Sequence, residues 1–151
     1  MRAKRCFSFL LVAFSAVAIA RSAPPDSTFG KLKVLVPIGE KVEETDVVLT
    51  LADDRLTVTT VEGNVELKNF AYSRIKEASY SYSKHPRWKE GGKKSLVFLP
   101  VFFVKGKRHW LTIETDKDFA VLRLAKDNYR VIIPAFETRA HIKVEALGEE
   151  K

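Results

Sequence analysis

The chain has 151 residues, with 26 Lys and Arg against 19 Asp and Glu, a formal charge of +7, and 46% hydrophobic residues. That length fits one domain with one core, and the apolar content excludes a disordered chain. The single cysteine, Cys6, excludes an intrachain disulfide framework and a thiolate zinc site.

Arg2, Lys4 and Arg5 form a basic start without an acidic residue, and Cys6 to Ala20 is an uninterrupted apolar and small-residue run. Ala18 and Ala20 have the A-x-A spacing that signal peptidase reads, so residues 1–20 are expected to be a signal peptide cleaved after Ala20, with Ser22 the second choice. The run is shorter than the roughly 20 residues that a spanning helix needs. Cys6 stands at the start of the run, far from the cut, and cannot be a lipid-carrying cysteine there. Cleavage would leave 23 Lys and Arg against 19 Asp and Glu, a charge of +4. The expected address is periplasmic or extracellular, where nucleic acid is not an expected partner.

Residues 21–45 are expected to be a tether with one possible edge strand. Ser22 to Gly30 is rich in Pro, Ser and Gly, and Lys31 to Glu44 holds one short apolar piece, Leu32 to Ile38, beside Pro37 and Gly39. From Asp46 a period of two sets in. Val47, Leu49 and Leu51 make a strand, Asp53-Asp54 a turn, and Leu56, Val58 and Thr60 a second strand. Glu62-Gly63-Asn64 turns the chain into a third, starting at Val65 and Leu67. Phe70 to Ile75 leads into Lys76 to Ser83, where Ala78, Tyr80 and Tyr82 share a face.

His85 to Lys94 is a basic loop, and Ser95 to Val104 (SLVFLPVFFV) is the most apolar stretch after the leader. Arg108 to Thr115 is a strand with His109, Leu111 and Ile113 on one face; Asp116 to Asp118 turn; Phe119 to Ala125 is another strand. Tyr129, Ile132, Ile133 and Phe136 then fall at helical spacing, with Asp127 as the expected cap and Pro134 an interruption that should kink or shorten the helix. Ile142, Val144 and Ala146 form a last extended piece before a charged tail, 148–151. A lone helix buries its stripe only against the sheet, so it should cover an open face or plug a barrel end.

Tyr72-Ser73-Arg74-Ile75, Ala78-Ser79-Tyr80, His109-Trp110-Leu111-Thr112-Ile113, Leu122-Arg123-Leu124, Asn128-Tyr129 and Glu137-Thr138-Arg139 stand in that order. Over residues 46–147 the chain thereby resembles small exported bacterial proteins with a pleckstrin-homology-like (PH-like) domain, a family without an assigned activity. The resemblance implies a mainly β fold, a curled antiparallel barrel capped by one C-terminal helix. Relatives end that helix in Thr-Gly, whereas this chain has Ala140-His141. Eukaryotic PH domains bind inositol phosphates through a basic first hairpin. Taking Asp53-Asp54 as that turn, phosphoinositide binding is not expected.

His85, His109 and His141 lack metal-ligand spacing, and His109 reads as a packed or hydrogen-bonded strand residue. Asp53-Asp54 and Asp116/Asp118 read as turn residues. Gly91-Gly92-Lys93-Lys94-Ser95 lacks phosphate-loop spacing, and no G-x-S-x-G elbow is present. No cofactor, metal or catalytic residue is therefore expected. The candidate surface is Lys84 to His109: Trp88, then Phe98, Phe102 and Phe103 bracketed by Lys93, Lys94, Lys105, Lys107 and Arg108. Two readings are open, a core strand with solvated lysine flanks, or a surface that meets an anionic membrane or an envelope protein. The expected function is a non-enzymatic binding or scaffold module of the bacterial envelope, with a peptide-binding module as the alternative and an uncharacterised enzyme below it.

Overall fold

A computed structural model describes residues 25–38, 41–87 and 106–148. The expected signal peptide, Trp88, Lys93, Lys94, Phe98, Phe102, Phe103, Lys105 and the tail from 149 onward lie outside the described residues.

Eight strands form one sheet in the order β4-β3-β2-β1-β7-β6-β5-β8. In chain order they are β1 (Ser27–Ile38), β2 (Lys41–Leu51), β3 (Arg55–Thr60), β4 (Glu66–Ala71), β5 (Ile75–Ser83), β6 (Arg108–Thr115), β7 (Phe119–Leu124) and β8 (Glu145–Leu147). A single 3-10 turn, Tyr72–Arg74, links β4 to β5, and one helix, α1 (Tyr129–Ala140), lies between β7 and β8. All pairings are antiparallel except β5 with β8. Among the described residues the sheet curls without closing, and β4 and β8 are its outermost strands. The curl brings β4 to the β6–β7 turn, where Lys68 Nζ lies 2.6 Å from Asp118 Oδ1.

The expected tether and edge strand need correcting. Ser27 to Ile38 is a twelve-residue strand in the interior of the sheet, between β2 and β7. Both of its faces are covered: Leu32 and Val34 join the main core, and Leu35 joins a second cluster with Val42, Trp110 and Val121. A strand buried on both faces lacks the clean alternation that marks a half-exposed one. Its charged residues have ion-pair partners. Lys33 lies opposite Asp46 and pairs with it at 3.0 Å, while Arg123 on β7 reaches across β1 to both carboxylate oxygens of Glu44 at 2.6 and 2.8 Å. A register shift between Phe29 and Leu32, with Lys31 at φ 58°, marks a bulge that raises local twist. Because β1 comes first and pairs antiparallel with β2, the first hairpin is β1–β2. Asp53-Asp54 is the second turn and gives no ground for excluding phosphate binding at the first.

The concave face holds the core. Val47, Leu49, Leu51, Leu56, Val58 and Phe70 come from the first half of the chain, and Ala78, Leu111, Ile113, Ala120 and Leu122 from the second. Ile132, Phe136 and Ala140 of α1 close it. The helix starts one residue later than expected: Asn128 rather than Asp127 is its cap residue, and the Asn128 side chain donates to the Gly30 carbonyl instead of capping the first turn. Pro134 does not end the helix, which runs on to Ala140. His141 takes the left-handed conformation (φ 54°, ψ 31°) that glycine adopts at lower cost. Arg139 locks this end by reaching the Pro25 carbonyl, Ser27 Oγ at 3.3 Å and Asp53 Oδ1 at 3.4 Å.

Candidate aromatic groove

Ala78, Tyr80 and Tyr82 follow one another on the concave face of β5, and His109, Leu111 and Ile113 do so on β6. The antiparallel register sets Ala78 opposite Ile113, Tyr80 opposite Leu111 and Tyr82 opposite His109. Along this one face the side chains pass from fully buried aliphatics to half-buried rings. The change comes where the first turn of α1 arrives with Tyr129. The result is an aromatic cluster at the open end of the core.

His109 is its centre. Its ring stacks with Tyr129 at 3.9 Å between centroids and with Tyr82 at 4.7 Å, and Tyr80 stacks with Tyr129 at 5.8 Å. The Tyr80 hydroxyl and His109 Nδ1 share a 2.6 Å hydrogen bond. His109 is thus a packed, hydrogen-bonded strand residue. Burial, followed by the charges of Lys126 and Arg130, holds its pKa below the usual 6.5.

The rings form one side of a groove of about 730 Å³, within the size range of small-molecule sites. Lys126, Asp127 and Arg130 stand along the side that leads into α1, and Ala146, Leu147 and Gly148 along the β8 side. Cations also sit over the rings: Lys107 Nζ is 5.9 Å from the Tyr82 centroid, and the Arg130 guanidinium 5.6 Å from that of Tyr129. Of the aromatic and basic residues named for that surface, only Lys107 and Arg108 are described, the first just before β6 and the second its first residue. Lys107 adjoins this cluster, and Arg108 is exposed.

The structure brings together residues that sequence reading did not join into a site: Tyr80, Tyr82, Lys126, Tyr129 and Arg130. The signal was the shared face of Tyr80 and Tyr82 beside a histidine-bearing strand. What one sequence could not show was that the helix would deliver Tyr129 onto it. His141 is at the far end of α1 and His85 follows β5, so the three histidines stand on separate elements. Among the described residues no three His, Cys, Asp or Glu side chains are grouped as metal ligands, and no helix is long and apolar enough to cross a membrane. The Asp54 carboxyl is held below its usual range by the Arg55 side chain bonded to it, as suits a turn residue.

No protein-family profile and no curated protein sequence matches the chain. Solved structures do. The Spt16D–Pob3N heterodimer is similar at a TM-score of 0.50 and 12% identity, over 86% of this chain and 58% of that one. The hSac2 domain of the human phosphoinositide phosphatase Sac2 gives 0.48 and 12%, over 83% of this chain and 78% of that one. The fold is PH-like. At this identity the likeness shows the fold alone, and this chain spans under two thirds of the first structure's chain.

Proposed function

We propose that this chain is an exported, non-catalytic binding or scaffold module of the bacterial cell envelope, and that it recognises its partner through the aromatic groove. The leader-like residues 1–20 support export, and the PH-like fold supports a binding or scaffold module. The observation that carries the groove reading is the cluster of Tyr80, Tyr82, His109 and Tyr129, four stacked rings left half-buried together beside the fully buried Leu111, Ile113 and Ile132. Half-exposed rings held by stacking are rigid, and a rigid apolar surface loses little entropy when a partner covers it. His109 has Nδ1 engaged by Tyr80 and its ring stacked on two tyrosines, which suits a wall better than a proton carrier.

The test compares the wild-type chain with a Tyr82→Ser/Tyr129→Ser variant. Each is incubated with envelope extract, and what it retains is identified by mass spectrometry. The expected result is one or more species, small or macromolecular, held by the wild type and lost by the variant. Identical eluates overturn the groove reading. Export is checked separately: a periplasmic or medium fraction holding a chain that starts at Arg21 supports it, and a full-length cytoplasmic chain contradicts it. The membrane contact envisaged for Phe98, Phe102 and Phe103 is decided by cosedimentation with anionic vesicles against a variant with serine at all three positions. Equal binding by both removes it.

A further inference from the structure

The groove is charged as well as aromatic. Lys126 and Arg130 are exposed, flank Tyr129 in sequence and line the groove beside it. Lys107 stands over Tyr82 at its other end. Among the described residues the one carboxylate in the lining is Asp127, and Lys31 Nζ lies 3.6 Å from its Oδ2, so its charge is opposed from outside the groove. Resting on the reading above, we infer that the groove takes a small anion with a flat unsaturated body, its carboxylate or phosphate meeting Lys126 and Arg130 while the body lies against the Tyr–His cluster.

Each half of that ligand answers a separate feature. Rings reward a flat apolar partner through stacking and exclusion of water. The cations reward a negative group with charge-assisted hydrogen bonds, and the arginine can donate two at once. An inorganic anion leaves the rings uncovered, a neutral ring leaves the cations unmatched, and a cationic ligand meets like charges. The volume of about 730 Å³ admits a molecule of this kind whole.

His109 supplies an internal reporter. Lys126 and Arg130 already oppose its protonation, so an anion bound between them should relieve that opposition and raise the imidazole pKa. By linkage the anion should then bind more tightly as pH falls through the His109 titration. The other groups around the imidazole are Tyr80 and Tyr82 from β5, Lys107 from the segment before β6, and Asp127 and Tyr129 from the start of α1. β8 contributes only Ala146, Leu147 and Gly148, none of which titrates.

The experiment is an NMR titration of the purified chain with phenyl phosphate, inorganic phosphate and benzyl alcohol, following the His109 ring protons and the amides of the groove. Phenyl phosphate is expected to bind at least tenfold more tightly than either of the others and to raise the His109 pKa. A Lys126→Gln/Arg130→Gln variant is expected to lose at least tenfold in phenyl phosphate affinity and to keep its wild-type unfolding midpoint, since both side chains are exposed. If benzyl alcohol binds in the groove as well as phenyl phosphate does, the anion inference falls and the groove reading stands. If inorganic phosphate matches phenyl phosphate, the flat body is refuted. If no probe perturbs the groove at millimolar concentration, the anion inference falls, and the groove reading is decided by the envelope-extract comparison.

Discussion

The two ends of α1 meet the same curled sheet and finish it differently. At the C-terminal end Phe136 is fully buried, packs edge-on to Tyr72 at 6.5 Å, and lies beneath an Arg139 latch onto Pro25, Ser27 and Asp53. At the N-terminal end Tyr129 meets Tyr80, Tyr82 and His109, and the cluster stays half open. One end is built as core, with Arg139 tied to three partners. The other leaves stacked rings half-buried, with the exposed Lys126 and Arg130 beside them. The contrast separates residues that keep the domain folded from residues available to a partner.

The largest effect belongs to the closed end. Phe136→Ala should destabilise the domain by about 3–5 kcal/mol, read as a lower urea midpoint, because the ring leaves a cavity that the helix and sheet cannot fill. A loss below about 1 kcal/mol would mean that this end is looser than described. Arg139→Ala should cost about 1–3 kcal/mol, since Asp53 and the Pro25 carbonyl lose a largely buried donor. At the open end, Tyr82→Ser should cost only about 1 kcal/mol, the value of a half-buried stacked ring, and should leave the far end of α1 unchanged in hydrogen exchange. A cost as large as that of Phe136→Ala would make the cluster ordinary core.

Smaller effects sharpen the contrast. His141→Gly should raise stability by about 1 kcal/mol, because histidine holds a left-handed conformation that glycine adopts without penalty. The pH dependence falls at the open end. His109 has a folded pKa below its unfolded value near 6.5, so the folded state resists a proton that the unfolded chain accepts. Its contribution is complete above pH 6.5 and declines as pH falls below it. The melting temperature should therefore drop between pH 7.5 and 5.5, and less so in His109→Phe. An identical slope in both proteins would show that other groups set it.

Much of this contrast was readable in advance, for physical reasons that differ by element. A strand with one wetter face, such as β3, announces itself by alternation. The stripe of α1 follows from Ile132 and Phe136. The apolar piece of β1 was legible as Leu32 to Ile38, but its interior place was not, because that place depends on pairing with β7, far along the chain. The cap at Asn128 was misplaced by one residue because its side chain is taken by the Gly30 carbonyl 98 positions earlier in the chain. The groove depends on the same kind of long-range pairing. Tyr80 and Tyr82 were visible as one face, and the arrival of Tyr129 from the helix was not.

The most direct test of this division is an amide shift map of the purified chain against a small fragment set of mixed charge. The account predicts perturbations concentrated at Tyr80, Tyr82, His109, Tyr129 and the β8 residues that line the groove, with the Pro134 to His141 end silent. Perturbations spread evenly over the sheet, or centred on the closed end, would contradict it.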